Sequence, residues 1–139
     1  RQGMARKLLD TTFLIHHWGG RESVRSYLES QTEGTEHVTT TINLKEIAVG
    51  RTLVDAFDPD EIEAQFEWTR VVLITREIGW ETAKIEARLR RDETVNRDRI
   101  SPLAGDAIVA GAAAELDATV VTENAADFRT LGVPAETYS

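Results

Sequence analysis

The sequence contains no cysteine, which excludes disulfide bonds, zinc sites built on thiolates and cysteine nucleophiles. It also lacks any apolar run close to the roughly 18 residues of a membrane span, and its start lacks the pattern of a secretory signal. We therefore expect a soluble cytoplasmic protein. Its 139 residues suffice for one domain with its own core. We place that domain at residues 4–139 and interpret residues 1–3, ahead of Met4, as an extension added to the natural chain.

Positive charge is also scarce, since the sequence has 16 basic and 24 acidic residues and a net charge of −8. This balance disfavours long-range attraction to nucleic acid. A local arginine patch or bound cations can still hold a phosphate backbone at short range. Only three of the basic residues are lysines. A lysine-poor acidic composition is typical of a salt-adapted source, and a GC-rich genome would produce the same preference for arginine.

Apolar patterning predicts strands that alternate with helices. The predicted strands run from Lys7 to near Asp10 and at 37–41, 71–74, 119–122 and 133–136. The predicted helices follow Asp10 and lie at 21–31, from the cap Asn43, from 58–61, and at 77–91, 101–116 and 125–130. We expect residues 71–74 to be covered on both faces and residues 92–100 to form a polar loop. The alternation, without hairpin signals, predicts an α/β three-layer sandwich around a mainly parallel central sheet of four or five strands.

Two aspartates stand where a carboxylate is unusual. Asp10 follows the first predicted strand, at the edge where parallel sheets bind ligands, although capping of the next helix is an equal alternative. Asp106 and Glu115 are the only charges between Pro102 and Leu116, in a helix expected to be largely buried. A carboxylate there is costly unless it is paired or bound to metal. Compensation of the helix dipole is the alternative, but Asp106 lies about one turn beyond the expected cap, where that effect fades.

Other polar residues are more ambiguous. Glu46 lies on a helix whose neighbouring residues predict a partly buried flank, yet a solvated glutamate is the ordinary alternative. Thr122, Asn124 and Asp127 follow an apolar strand at the expected ligand edge, where a helix cap and a surface residue are the default interpretations. His16 is followed directly by His17, and adjacent helical residues point in different directions, so the two do not chelate a metal together.

Four segments of the chain together resemble the PIN-domain ribonucleases and, more narrowly, the VapC toxins of toxin–antitoxin pairs. The resemblance extends from Leu8 to Tyr138, and each motif is weak alone, but their order and spacing make a chance match improbable. It implies a PIN-like fold. The segments read LLDTTFLI, INLKEIA, PLAGDAIVA and VVTENAADF.

The resemblance also implies the residues of the site. Asp10, Glu46 and Asp106 fall on the family's three invariant acids, and Asp127 falls on a fourth, more variable acid. Some relatives carry that acid where this chain has Asn124. The supporting polar positions are Thr12, Thr122 and Asn124. Five arginines ahead of Asp106 are candidates for RNA contacts, with a solvated salt-bridge face as the alternative: Arg88, Arg90, Arg91, Arg97 and Arg99.

Clustered carboxylates repel one another unless a cation neutralises them, and oxygen donors suit Mg²⁺ or Mn²⁺. The acids thus predict a divalent cation, and the resemblance implies a metal-dependent endoribonuclease that hydrolyses phosphodiester bonds. The resemblance implies one or two ions, products with a 5′-phosphate and a 3′-hydroxyl, a homodimer, and an antitoxin that inserts a basic side chain among the acids. We expect single-stranded or looped RNA, such as tRNA or rRNA, as the substrate.

Two other functions that use an aspartate after a strand do not fit the same residues. A haloacid-dehalogenase phosphatase needs a second aspartate where the chain has Thr12, and a receiver domain needs a lysine beyond Lys84, where there is none. A stand-alone PIN nuclease of RNA processing and a non-catalytic PIN-like RNA-binding or interaction module remain as alternatives. Loss of catalysis would be expected to leave substituted acids, and all three principal acids are present.

Overall fold

A computed structural model gives the structure of residues 5–138, apart from the side chain of Ser101. The interpretation of residues 1–3 lies outside the described residues. The strands are β1 (Arg6–Leu9), β2 (Glu36–Thr40), β3 (Arg70–Val72), β4 (Thr119–Val121) and β5 (Ala135–Glu136). The helices are α1 (Thr11–Trp18), α2 (Glu22–Ser30), α3 (Thr41–Leu53), α4 (Pro59–Gln65), α5 (Arg76–Arg91), α6 (Arg97–Leu116) and α7 (Ala125–Thr130).

The strands form one parallel five-stranded sheet in the order β3-β2-β1-β4-β5. This confirms the expected sheet of four or five strands. From β1 the chain moves outward through β2 and β3, and it then returns to the other side of β1 with β4 and β5. The connections therefore diverge between β1 and β4, and parallel sheets bind ligands beyond the carboxyl ends of strands at such a point.

Side chains that alternate along each strand build two cores on opposite faces of the sheet. Leu8 and Val120 are fully buried in one core, which contains residues of α5, α6 and α7. Leu9 and Val121 are fully buried in the other, against residues of α1 to α4 such as Phe13. Helices thus cover both faces of the sheet, which confirms the three-layer sandwich.

Helices α5 and α6 pack very closely where α6 carries small residues. Gly111 lies at this contact, and a Cβ atom added to it would stand 2.1 Å from the Thr82 hydroxyl oxygen and 3.0 Å from the Ile78 carbonyl oxygen. No larger residue fits there without displacing α5. Although α6 is long, no helix among residues 5–138 is both long and apolar enough to cross a membrane.

Three local expectations are wrong. Helix α6 begins at Arg97 rather than Ser101, because the Asn96 side chain accepts the Asp98 amide at 2.8 Å and the helix tolerates Pro102 in its interior. The predicted loop at 92–100 is accordingly shorter. Helix α3 is capped by Thr40, and Asn43 is instead the third residue of that helix and completes a capping box.

The third error concerns the apolar run at 71–74. Strand β3 ends at Val72 and lies at the edge of the sheet. Val71 is 40% exposed and Leu73 is 71% exposed, so the run is not covered on both faces. A continuous apolar run indicates a strand, but it does not indicate whether that strand lies inside the sheet or at its edge. Side chains at the edge are less fully covered.

Candidate active site

Asp10 directly follows β1 with an extended backbone, and its amide donates to the Val121 carbonyl at 3.1 Å. Asp10 occupies the N-cap position of α1, but its side chain is only 6% exposed and does not form the capping hydrogen bond that the alternative requires. The Thr122 hydroxyl donates to Oδ2 at 2.9 Å, and the Asn43 amide donates to Oδ1 at 3.2 Å. The carboxylate is therefore held from both neighbouring strand ends.

Burial is the largest influence on the Asp10 carboxyl and raises its pKa. Hydrogen bonds from Thr122, the Thr11 backbone and Asn43 act in the opposite direction, while the charge of Glu46 adds to the rise. The net pKa lies above the ordinary value. A buried carboxylate with this balance binds a proton or another cation more readily than a solvated one does.

Asp106 lies on α6, ten positions beyond the Asn96 cap, so the helix dipole has less effect on it than the sequence suggested. Burial raises its pKa to about 6, with further contributions from the negative charges of Asp10, Glu46 and Asp127. The four acids expected from the sequence therefore share one electrostatic neighbourhood. Their charges repel one another there, which favours uptake of a cation.

Glu46 is exposed, so the expected partly buried flank is wrong. The adjacent Ile47 is the residue of α3 that faces the core, at 4% exposed. The Glu46 side chain nevertheless has a defined partner, because the Thr11 hydroxyl donates to its Oε1 atom. This bond ties the start of α1 to the acid on α3.

The segment after β4 contains a buried threonine, Thr122, that supports Asp10, and an acid, Asp127, on the following helix. Thr122 is fully buried, and its hydroxyl accepts the Asn124 amide at 3.0 Å while donating to Asp10. Asn124 occupies the cap position of α7 without a side-chain capping bond and is exposed. Asp127 lies in the first turn of α7 and is paired with Arg99. The Thr12 hydroxyl accepts the Glu123 amide at 3.4 Å, so it contacts this segment.

All five arginines ahead of Asp106 are exposed, but they have different partners. Arg88 donates to the Leu131 carbonyl at 3.1 Å and so supports the turn after α7. Arg99 pairs with Asp127, as the salt-bridge alternative anticipates. Within the described range, the other three form no ion pair: Arg90, Arg91 and Arg97.

Sequence reasoning missed two residues of this neighbourhood, Asn43 and Thr11. Asn43 is fully buried and contacts both Asp10 and Thr11, although its position three residues before Glu46 on the same helix was a usable signal. Thr11 follows Asp10 directly. Its role depends on a partner 35 residues away, which local patterns do not reveal.

The donor chemistry of the acids fits a hard divalent cation. In the described part of the chain, no three His, Asp or Glu side chains form a ready-made group of metal ligands. Mg²⁺ does not require one, because it keeps several waters and typically uses one or two carboxylates with substrate phosphate. Carboxylate oxygens without imidazole or thiolate donors suit Mg²⁺ or Mn²⁺.

Residues 7–133 match the family model of the PIN domain. No curated protein matches the chain. Several solved structures are similar in fold. The DNA-bound VapBC of Salmonella typhimurium aligns with a TM-score of 0.73 at 24% identity, over 98% of this chain and 100% of that one.

Two further solved structures have a similar fold. VapBC-1 of nontypeable Haemophilus influenzae has a TM-score of 0.73 at 16% identity, over 96% of this chain and 98% of that one. A toxin–antitoxin complex of Klebsiella pneumoniae has a TM-score of 0.71 at 19% identity, with the same coverage of both chains. At these identities the similarity concerns the fold.

Proposed function

The chain belongs to the PIN domain family, and from this premise we propose that it is a metal-dependent endoribonuclease, the toxin of a VapBC-type pair. The observation that carries the proposal is the buried Asp10 carboxylate, which Thr122 and Asn43 hold in place beside Asp106. Burial, and then the charges of Asp10, Glu46 and Asp127, raise the pKa of Asp106. Asp10 lies between β1 and α1, whereas Glu46, Asp106 and Asp127 lie on α3, α6 and α7, and the charges of the other three act on Asp106. Such an accumulation of charge is expensive for stability and is characteristic of a functional site.

In the proposed enzyme the carboxylates of Asp10, Glu46, Asp106 and Asp127 hold Mg²⁺, with Mn²⁺ as a substitute. A cation bound by these carboxylates would supply a water of lowered pKa and would neutralise charge that develops on the phosphate and the leaving oxygen. Asp10 is the fixed point of the site, because Thr122 and Asn43 restrain both of its oxygens. Glu46 and Asp127 are more exposed than Asp10.

We propose single-stranded or looped RNA, such as tRNA or rRNA, as the substrate in the cytoplasm. Specific RNA recognition mostly uses bases outside duplexes, which can be splayed and contacted individually. Arg90, Arg91 and Arg97 are exposed without ion-pair partners in the described residues, and they lie close in sequence to the α6 helix of Asp106. They are the proposed contacts to the RNA backbone, where each guanidinium can bind phosphate through two parallel hydrogen bonds.

The proposed partner is a cognate antitoxin, and the nuclease itself is proposed to form a homodimer. Support comes from the similar folds in the VapBC and toxin–antitoxin structures. The excess negative charge at the site favours an inserted arginine from such a partner, because a planar guanidinium matches a carboxylate in a fork. Inhibition then results from occupation of the cation and phosphate positions.

The nuclease is tested with purified protein, tRNA and rRNA, in the presence of Mg²⁺, Mn²⁺ or EDTA. We expect metal-dependent cuts in loops, products with 5′-phosphates, and no cleavage by Asp106→Asn. Glu115→Gln is the matched control, since Glu115 is an exposed acid on the same helix, and it should cleave as the wild type does. Full activity of Asp106→Asn would contradict the assigned site, and cuts confined to duplex stems would contradict the substrate.

The partner is tested by co-expression with the product of the adjacent reading frame. We expect a stable complex that is inactive towards RNA and that recovers activity when the partner is removed. If no neighbouring product binds, or if a bound one leaves cleavage unchanged, the chain is better described as a stand-alone PIN nuclease. A protein that folds but cleaves no RNA with either metal would favour the non-catalytic alternative.

A further inference from the structure

A chain of hydrogen bonds joins two of the acids through Asn43 and Thr11. The Asn43 amide nitrogen donates to Oδ1 of Asp10 at 3.2 Å and to the Thr11 hydroxyl oxygen at 3.0 Å. The Thr11 hydroxyl in turn donates to Oε1 of Glu46. Thus one buried amide contacts Asp10 directly and reaches Glu46 through a single intervening hydroxyl.

The direction of this chain is fixed by a backbone group. The Thr40 amide and hydroxyl both donate to Oδ1 of Asn43, at 3.2 and 2.7 Å. Because a backbone N–H can only donate, the Asn43 oxygen must face Thr40 and its nitrogen must face the acids. Thr11 then accepts from Asn43, so its only proton is directed to Glu46. Every polar group of the Asn43 side chain is satisfied in this single orientation.

We propose that Asn43 and Thr11 are positioning residues that set the orientation of Asp10 and Glu46 for a divalent cation. The inference rests on the proposed function, since it assigns these residues to the same metal site. Asn43 itself is immobilised, because it is fully buried and belongs to the capping box of α3. It therefore connects the exposed Glu46 side chain to a rigid part of the fold.

Of the two acids, Glu46 depends more on these hydrogen bonds for a fixed side-chain orientation, because it is exposed. An exposed glutamate has three rotatable side-chain bonds, and ordering it to bind a cation costs conformational entropy. The Thr11 bond restricts those rotations before the cation arrives. Residues that orient metal ligands in this way typically contribute 10- to 100-fold to metal affinity.

The test separates positioning from folding by changing Thr11, which lies outside the capping box. Thr11→Val keeps the shape and removes the hydroxyl, while Thr11→Ser keeps the hydroxyl. Thr41→Val is the matched control, because Thr41 is exposed and is the first residue of α3 as Thr11 is of α1. Mn²⁺ affinity is measured by calorimetry, and stability is measured by urea unfolding in EDTA.

We expect Thr11→Val to weaken Mn²⁺ binding by about tenfold, with Thr11→Ser and Thr41→Val close to the wild type. The unfolding midpoint of Thr11→Val in EDTA should match that of Thr41→Val. Asn43→Ala should lose more affinity, because it releases both acids, and adding Thr11→Val to it should cost little more. Its lower stability from the lost capping box is reported separately by the unfolding measurement.

Wild-type affinity in Thr11→Val would overturn the inference, as would an equal loss in Thr11→Ser. If Asp106→Asn loses binding in the same experiment, the metal site stands and only the positioning role is rejected. If the wild-type protein binds no Mn²⁺ and cleaves no RNA, the proposed function fails and the inference fails with it.

Discussion

Replacing Asp106 with asparagine should make the metal-free protein more stable at neutral pH. The folded pKa is about 6 and the ordinary value is 3.8, so the folded state binds this proton more tightly than the unfolded state does. Stability gained from the bound proton is present at low pH and is lost as the pH rises through about 4 to 6. Above that range the ionised Asp106 carboxylate of the wild type is repelled by the neighbouring acids, whereas the amide of Asp106→Asn carries no charge.

The size of the effect follows from the difference in pKa. About two pKa units correspond to about 3 kcal/mol in the unfolding free energy. Asp106 is only partly buried, so solvent screening reduces the expected gain to about 1–2 kcal/mol at pH 7.5. By the same linkage the gain should shrink to about one third at pH 4.5. Urea unfolding in EDTA at both pH values measures the two differences.

Glu115→Gln is the control and should change the unfolding free energy by less than about 0.5 kcal/mol at either pH. Saturating Mg²⁺ should reverse the order of stability, because binding to the folded wild type adds free energy that Asp106→Asn cannot recover. If Asp106→Asn is less stable than the wild type at pH 7.5, Asp106 has a structural role. If its advantage is the same at both pH values, charge repulsion is not the cause.

Three further substitutions test how the site is supported. Thr122→Val removes the hydroxyl that donates to Asp10 and accepts from Asn124, so urea unfolding should show a loss of about 1–3 kcal/mol; unchanged stability would refute the contact. Gly111→Ala should lower the melting temperature, because its Cβ would lie 2.1 Å from the Thr82 hydroxyl, and Thr82→Ala in the same chain should restore part of the loss. Asn96→Ala should cost about 1 kcal/mol if it caps α6, which calorimetric unfolding measures, and no loss would place the start of the helix elsewhere.

The sequence was most informative where one local pattern governs the structure. Alternation of apolar strands and helices predicted the parallel sandwich, and the apolar run before Asp10 predicted its place at the carboxyl end of the first strand. Sequence patterns predicted the wrong start for α6, because the Asn96 cap and the tolerated Pro102 let the helix begin at Arg97. They also failed at Leu73, because exposure at a sheet edge depends on which strands lie next to each other.

The same distinction applies to the candidate site. Asp106 attracted attention because its apolar neighbours made a lone charge costly, which is a local signal. Asn43 and Thr11 were missed because their importance lies in contacts 32 residues apart in the chain. Glu46 was expected among the acids by resemblance, and its charge acts on Asp10 and Asp106. Its exposure could not be predicted, because it depends on how α3 packs on the sheet.

The pairing of β1 with β4 has a consequence for synthesis of the protein. Asp10 emerges from the ribosome 112 residues before Thr122, whose hydroxyl donates to its carboxylate. Contacts between such distant residues form late, after the intervening chain has been made and closed into a loop. A nascent chain that ends before Thr119 lacks β4, Thr122 and Asp127. The acidic site is therefore assembled only after Thr122 and Asp127 have been made, and a product interrupted before Thr119 lacks part of it.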